Sequence, residues 1–319
     1  MSPEPTRRDE PAAPAAYRDT PILCGIDDAA ESRTAVLAAV RLADALNASL
    51  VLDHVMPSPD SLPSGMANQR DLLHDRKVEA GRRLLGEVGS ELLDDTRSGA
   101  LQDAEARVDF GDPARRLAAV ADEIGAGLIV VGARGRSLSK VALAGSVSQT
   151  LAAEQSRPVL VVPSDAEIAN GARRPSERSG STIVCGVDGS DHANRAARVA
   201  ARLASSLNVR HILANAGGAG APTSGEGAIE FDDVLAPEAR PRLRLLEQAR
   251  KVTGDAETEL RLLDGDPAAA LEELGARESA ELIAVGTRGH GVLRALALGS
   301  VSRTLAESSS RPVLVVNEP

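Results

Sequence analysis

The sequence predicts two tandem α/β domains, each a doubly wound, Rossmann-like fold around a parallel sheet. Three observations support this fold class. The chain has 319 residues, which is about the length of two average domains. Short apolar segments rich in Val, Ile and Leu alternate with helix-forming stretches, as expected for a parallel sheet covered by helices on both faces. The same series of segments also occurs twice.

The repeat consists of three short segments of the first half that return in the second half. Copies at matching places indicate one duplicated domain rather than an array of many short repeats. The segments are PILCGID at 21–27 and TIVCGVD at 182–188, Gly-Asp-Pro at 111–113 and 265–267, and RPVLVV at both 157–162 and 311–316.

These copies divide the chain into a first domain at 21–163 and a second domain at 181–319. The stretch 164–180 between them is rich in Ser, Arg, Gly, Asn and Pro without apolar periodicity, which is typical of a linker. Residues 1–20 have a similar character, and we predict that they form a disordered tail.

In the first copy, the apolar run Ile22–Ile26 predicts the first strand. Asp112 before Pro113 predicts a helix start, with aspartate as the N-cap and proline in the first turn. An amphipathic helix is predicted by the spacing of Ala35, Val36, Ala39, Leu42, Ala43 and Leu46. The other strands are predicted at 49–54, 107–110, 128–131 and Val159–Val162.

The second copy has the same order of elements. Ala193, Ala196, Ala197, Ala200, Leu203, Ala204 and Leu207 form the apolar stripe of its first helix. Asp266-Pro267 predicts the start of a later helix. The strands are predicted at 183–187, 211–215, Glu259–Leu263, 282–285 and Val313–Val316. In such sheets, ligands bind beyond the carboxyl ends of the strands, where the strand order reverses.

The composition excludes several classes of partner. With 36 Lys and Arg against 46 Asp and Glu the net charge is −10, and aromatic residues make up only 1%. Such a chain repels a phosphate backbone and offers no platform for base stacking, so we expect no nucleic-acid partner. No apolar run approaches the roughly 18 residues of a spanning helix, and residues 1–20 carry charge and proline where a signal peptide needs apolar residues. We therefore expect a cytoplasmic protein without a membrane partner.

A glycine pattern directly after the fourth strand is the strongest chemical signal. It consists of two glycines, a loop, and a glycine-serine pair that begins a helix: Gly132, Gly135, Gly145 and Ser146 in the first copy, and Gly286, Gly289, Gly299 and Ser300 in the second. Glycines let backbone N–H groups approach a ligand closely, and a helix N-terminus favours anions. The pattern predicts a polyphosphate site.

The same residues also have structural interpretations. Ser146 followed by Gln149 fits a capping box, although the second copy has Arg303 at that place. Asp27 and Asp188, at the ends of the first strands, could bind a ribose or base or help to hold a cation, or could simply stabilise a turn. Candidate phosphate ligands inside the glycine turns are Arg134 and Arg288.

The sequence contains none of the familiar catalytic motifs. Gly-x-Ser-x-Gly, Gly-x4-Gly-Lys-Ser/Thr, Gly-x-Gly-x-x-Gly and His-Glu-x-x-His are all absent. None of the five histidines occupies the same place in both copies. Cys24 and Cys185 lie in apolar runs and predict buried thiols rather than a disulfide or zinc site. We therefore assign no catalytic residue and no metal ligand, and expect any ATP hydrolysis to be slow.

With both glycine patterns in place, the chain resembles the tandem members of the universal stress protein family. The resemblance covers 21–317 apart from the linker. It implies five parallel strands per domain in the order 3-2-1-4-5, pairing of the domains through their fifth strands, association into a homodimer, and ATP, with or without Mg²⁺, at the strand carboxyl ends. The implied ligands are Gly132, Gly135, Gly145, Ser146 and Val147 with Gly286, Gly289, Gly299, Ser300 and Val301 for phosphates, Asp27 and Asp188 for the ribose and base, and Val55 and Ala216 after the second strands for adenine.

The two copies differ in the turn after the first strand. The family's usual Asp-Gly-Ser is intact at 188–190 but reads Asp-Asp-Ala at 27–29. The additional carboxylate, Asp28, would repel a triphosphate.

The leading hypothesis is an ATP-binding stress-response regulator with an unidentified protein partner. An ATP pyrophosphatase is one alternative, but its Ser-Gly-Gly-x-Asp-Ser-type loop is not supplied by GVDGS at 186–190. A nucleotide-free pairing module of the same fold and a weak ATPase are the others.

Overall fold

The computed structural model describes residues 17, 19–27, 30–56, 78–79, 83, 86, 98–133, 146–164, 166, 181–217, 239–254, 257–287 and 298–317. Most of the tail at 1–20 and of the linker at 164–180 lies outside these residues. So do the candidate site residues Arg134, Gly135, Gly145, Arg288 and Gly289.

The first half of the chain contributes five strands to the sheet. They are β1 (Ile22–Ile26), β2 (Leu50–Met56), β3 (Glu105–Phe110), β4 (Leu128–Gly132) and β5 (Val159–Val162). Its helices with defined bounds are α1 (Ala30–Leu46), α2 (Gly99–Gln102), α3 (Pro113–Glu123) and α4 (Ser146–Glu154). Residues 78–79, 83 and 86 are also helical.

The second half repeats this series. Its strands are β6 (Thr182–Gly186), β7 (Arg210–Ala216), β8 (Glu259–Leu263), β9 (Ala280–Gly286) and β10 (Val313–Val316). Its helices within the described residues are α5 (Asp191–Leu207), α6 (Ala239–Thr253), α7 (Pro267–Arg277) and α8 (Ser300–Ser308).

All ten predicted strands are present, but several bounds differ by one or two residues. Val55 and Ala216 lie within β2 and β7 rather than after them, and Gly132 and Gly286 are the last residues of their strands. The reason is that backbone pairing continues wherever the neighbouring strand offers partners, as Met56 does with Phe110, whereas the apolar pattern marks only the most buried stretch.

The strands form one ten-stranded sheet in the order β3-β2-β1-β4-β5-β10-β9-β6-β7-β8. Each half has the predicted order 3-2-1-4-5 with parallel neighbours, which confirms the fold class. The halves meet where β5 and β10 pair antiparallel, with Leu160 opposite Leu314. The fifth strands therefore join the domains, as the resemblance implied.

Apolar side chains from alternate strand positions form a core layer on each face of the sheet. Cys24 and Leu52 pack on the α1 side, while Leu23 and Ile129 pack on the α3 side. Both cysteines are free and fully buried, and burial raises the pKa of the Cys24 thiol well above its usual range. Fully burying one leucine or isoleucine side chain of these layers contributes about 1.5–3 kcal/mol to the stability of the fold.

The two predicted aspartate caps are present. Asp112 Oδ1 accepts the N–H of Arg115 at 2.9 Å, and Asp266 Oδ1 accepts the N–H of Ala269 at 3.0 Å. Each cap satisfies an N–H group that has no partner inside its helix, which typically stabilises a helix by about 1 kcal/mol. Of the helices that the structure describes, none is both long and apolar enough to cross a membrane.

Candidate functional site

The candidate sites lie at the carboxyl ends of β1 and β6. Each of these strands has the second strand of its half on one side and the fourth on the other. The connections that follow the first and the fourth strand therefore run in opposite directions along the sheet and leave a crevice between them. Open α/β sheets bind ligands in such a crevice.

The strand register brings the predicted residues of each half to this crevice. Ile26 pairs with His54, and Cys24 pairs with Val130. Continuing these registers places Asp27 beside Val55, with Gly132 beside Ile26. In the second half, the registers of Gly186 with Ala214 and of Cys185 with Ala284 likewise bring together Asp188, Ala216, Gly286 and Thr287.

Both aspartates accept hydrogen bonds from a serine at the start of the following helix. Ser32 Oγ donates to Asp27 Oδ1 at 2.5 Å. Asp188 Oδ1 accepts the backbone N–H of Ser190 at 3.0 Å and its hydroxyl at 2.6 Å, while Ser190 Oγ caps α5 by accepting from Ala193 N at 3.2 Å. The structural interpretation of these aspartates is thus present in the fold, and their role toward a nucleotide stays a prediction.

A polar side chain in the second strand of each half holds the end of the first strand. His54 Nδ1 donates to Ile26 O at 2.9 Å, and Asn215 Nδ2 donates to Val187 O at 2.7 Å. The two accepting carbonyls belong to the residues before Asp27 and Asp188. This pair was not among the predicted site residues, although a polar residue at the same repeat position in both copies is a visible signal.

Arg242 of α6 fastens the ends of β7 and β8 in the second half. Its Nε donates to Asn215 Oδ1 at 2.8 Å and one of its Nη atoms to Asn215 O at 2.8 Å. The same Nη atom also donates to Leu263 O, and Asp264 lies 3.5 Å from the other. Arg242 therefore fixes the strand end that carries Ala216.

The N-terminus of α8 lies next to the turn after β9, where Gly299 N–H donates to Thr287 O at 2.7 Å. Gly299 is the N-cap residue, and no side chain bonds the first turn from that position. The N–H groups of Ser300 and Val301 follow, where no preceding helical carbonyl can accept from them. The helix dipole adds a partial positive charge at this end, so the arrangement suits an anion.

A second serine anchors each of these helices to the turn after the fourth strand. Ser302 Oγ donates to Thr287 O at 3.1 Å, and the equivalent Ser148 Oγ donates to Ala133 O at 3.3 Å. Both serines are buried. Neither serine was predicted as a site residue, yet both belong to the Ser-Val-Ser that occurs at 146–148 and again at 300–302.

Two residues of the predicted glycine and serine patterns, Gly286 and Gln149, make further contacts within the fold. A Cβ atom on Gly286 would lie only 2.7 Å from the carbonyl carbon of His192 and 2.8 Å from Ala193 N, so this glycine permits close packing of β9 on the start of α5. Gln149 donates to Glu307 Oε1 at 3.3 Å. Its side chain therefore contacts the other half, and the capping-box interpretation of Ser146 with Gln149 stays a prediction.

Within the part of the chain that the structure describes, no three or more His, Cys, Asp or Glu side chains are grouped to hold a metal ion. The polar groups at both crevices are instead main-chain N–H groups at helix starts, carboxylates in turns, and side chains that hold strand ends in place.

Comparison with known proteins agrees with this architecture. The sequence profile of the universal stress protein family matches twice, over residues 20–163 and 181–317. A universal stress protein of Mycobacterium tuberculosis is 27% identical over 312 residues, covering 93% of this chain and 95% of the relative. Another from Mycolicibacterium smegmatis is 30% identical over 302 residues, covering 92% of this chain and 96% of the relative.

Solved structures support the fold independently. The crystal structure of a universal stress protein from Archaeoglobus fulgidus aligns with a TM-score of 0.64 at 19% identity, covering 95% of this chain and 98% of that chain. Taken with the two profile matches, these similarities show that the chain belongs to the universal stress protein family and carries the family's domain twice.

Proposed function

We propose that the chain is an ATP-binding stress-response regulator that holds one nucleotide at the carboxyl edge of each half. The observation that carries this proposal is the N-terminus of α8, which begins at Gly299 next to Thr287, where the strand order reverses. An anionic polyphosphate is the ligand that such a helix start favours.

Each part of the nucleotide would contact a different set of the predicted site residues. The N–H groups of Gly299, Ser300 and Val301 would bind phosphates, Asp188 would face the ribose and base, and Ala216 would lie near the adenine. Their first-half equivalents are Gly145, Ser146, Val147, Asp27 and Val55, and Gly132 and Gly286 end the strands beside them. The motif residues Arg134, Gly135, Arg288 and Gly289 complete the two phosphate loops in this proposal. Mg²⁺ would be coordinated mainly by phosphate oxygens, as it usually is with nucleotides.

A regulatory role is favoured over an enzymatic one. The sequence has no Gly-x4-Gly-Lys-Ser/Thr loop and none of the other familiar catalytic motifs, so no residue is assigned to accelerate phosphoryl transfer. We therefore expect slow hydrolysis at most, and a bound nucleotide that changes stability or the choice of protein partner. The proposal includes a cytoplasmic location and a homodimer of the chain.

Calorimetric titration of the full chain with ATP and Mg²⁺ tests the proposal. We expect two ATP molecules per chain, and one per chain in Gly299→Val. Gly299 has φ −65° and ψ 164°, which valine adopts readily, so the added side chain obstructs the helix start without backbone strain.

Gly99→Val is the matched control. Gly99 begins α2 at the opposite edge of the sheet, and an added Cβ there meets nothing within 4 Å. The control should keep both ATP molecules. Absence of ATP binding in the native chain would favour the nucleotide-free pairing module, and unchanged binding in Gly299→Val would show that the site is placed wrongly.

A further inference from the structure

Helices α4 and α8, which begin at the two candidate sites, touch each other across the boundary between the halves. Gln149 Nε2 of α4 donates to Glu307 Oε1 of α8 at 3.3 Å. Each helix is also anchored to the turn of its own site, through Ser148 and Ser302. A displacement of either helix would therefore shift the other.

Asn317 provides a second link between the halves. Its side chain accepts from Thr287 Oγ1 at 2.9 Å and donates through Nδ2 to Ala153 O at 2.9 Å. Ala153 lies in the last turn of α4, where carbonyl groups have no donor within the helix. The amide of Asn317 thus joins the turn of the second site to the carboxyl end of the helix that begins the first site.

Thr287 connects this link to the phosphate-binding end of α8. Its carbonyl oxygen accepts Gly299 N–H at 2.7 Å and Ser302 Oγ at 3.1 Å. Thr287 is fully buried, so water does not compete for these bonds. Gly299 N–H is also one of the groups that a phosphate at the second site would attract.

The side chains at the equivalent positions of the first half cannot form this link. At the positions equivalent to Thr287 and Asn317 it has Ala133 and Pro163, whose side chains can neither donate nor accept a hydrogen bond. The connection from the turn after β9 to α4 therefore depends on the side chains of Thr287 and Asn317 and does not follow from the duplication alone.

We propose that the two nucleotide sites are coupled through Asn317, so that ATP at the second site weakens ATP binding at the first. This inference rests on the proposed function. A phosphate that takes Gly299 N–H removes one of the two donors of the Thr287 carbonyl, so that only Ser302 Oγ still bonds it. The turn, held less firmly, shifts Thr287 relative to Asn317 and loosens the Asn317 amide from the end of α4, whose first turn then holds the first phosphate less well.

Calorimetric titration of the full chain with Mg-ATP measures this coupling. The product of the two stepwise association constants of the native chain is divided by the product of the single-site constants of Gly145→Val and Gly299→Val. The quotient is the coupling factor. We expect it to lie about fivefold or more below one, which is within the usual range for coupled sites.

The same measurements are repeated in Asn317→Ala, where we expect the coupling factor to return to within about twofold of one. Because Asn317→Ala also removes the bond to Ala153, it should lower ATP affinity at the first site even when Gly299→Val closes the second. Asn317→Asp, which keeps the acceptor for Thr287 but loses the donor to Ala153, should behave in the same way. Circular dichroism and thermal unfolding confirm that each variant is folded.

Ser308→Ala is the control and should leave the coupling factor unchanged. Among the described residues, Ser308 Oγ bonds only Thr304 O, within α8, at 2.7 Å. Two bound ATP molecules with a native factor near or above one, or a factor that Asn317→Ala does not change, would overturn the coupling and leave the proposed function standing. Binding of one ATP would also overturn the coupling, whereas absence of ATP binding would overturn both proposals.

Discussion

At the scale of single residues, a buried carboxylate distinguishes the two halves. Asp53 in β2 is fully buried, and among the described residues neither of its oxygen atoms has a hydrogen-bond partner. The equivalent residue of β7 is Ala214, since Asp53 pairs with Gly25 as Ala214 pairs with Gly186. An unpartnered carboxylate inside a fold is costly when it is ionised.

The charges around Asp53 do not offset this cost. Arg107, opposite on β3, is engaged with Glu123 at 3.2 Å, and Arg116 of α3 is engaged with Asp109 at 2.8 Å. Burial, followed by the negative charge of Asp109, raises the pKa of Asp53 to about 6, although Arg107 and Arg116 act in the opposite direction. The native state thus binds a proton more tightly than the unfolded chain does.

We predict that Asp53→Asn stabilises the protein at pH 7 by about 2–3 kcal/mol, because asparagine has the shape of the neutral acid but cannot ionise. The native chain should lose stability as the pH rises from about 4 to about 6, since over this window the folded state holds a proton that the unfolded state releases. Urea unfolding at several pH values measures both effects. Equal stability of the two proteins at pH 7 would contradict the prediction.

At the scale of secondary-structure elements, the turn between the last helix and the last strand differs between the halves. In the second half, Glu272 of α7 accepts Ser309 Oγ at 2.7 Å, Ser310 N at 3.0 Å and Ser310 Oγ at 2.5 Å. In the first half, Ala118 takes its place and a groove of about 270 Å³ lies open between α3 and α4. The glutamate therefore fastens α7 to the turn before β10.

We predict that Glu272→Ala destabilises the protein at pH 7 by about 1–3 kcal/mol, since it leaves donors in the turn without their charged acceptor. Burial raises the pKa of Glu272, but the bonds from Ser309 and Ser310 outweigh it and lower the pKa. The stabilisation should therefore be present above the usual pKa of glutamate and disappear as the pH falls through the lowered value.

Chemical unfolding of the native chain, Glu272→Ala and Glu273→Ala from neutral to acidic pH checks this prediction. Glu273 is the exposed neighbour on α7, so its variant should remain within about 0.5 kcal/mol of the native chain. A loss of stability in Glu272→Ala that stays constant at acidic pH would show that the carboxylate charge is not the cause.

At the scale of the whole molecule, the halves share one sheet and one set of core layers. β5 and β10 lie in the middle of the ten strands, and the fully buried Leu160 and Leu314 face each other there. Separating the halves would expose both strand edges together with their apolar side chains.

We therefore predict that the full chain unfolds in a single cooperative transition. Scanning calorimetry should give equal calorimetric and van't Hoff enthalpies, and Asp53→Asn in the first half should move the same transition as Glu272→Ala in the second. Two separable transitions, each moved by only one of these variants, would contradict the prediction.

The sequence alone determined the duplication, the ten strands and the aspartate-proline helix starts. These features are readable because strand burial, helix periodicity and N-capping are local and leave marks at fixed spacing, as Asp112 and Asp266 do before their prolines. The glycine pattern likewise indicated the crevice, since parallel strands end at a common edge.

The contacts between side chains of different elements could not be predicted from the sequence. Gln149 bonds Glu307 of the other half, Gly286 permits the packing of β9 on α5, and Asn317 connects Thr287 to α4. These contacts join residues that are distant in the chain, and their partners depend on how the sheet sets each helix against its neighbours. The spacing of residues along the chain does not show which of them lie close together in the fold. The links between the two halves were therefore seen only in the structure.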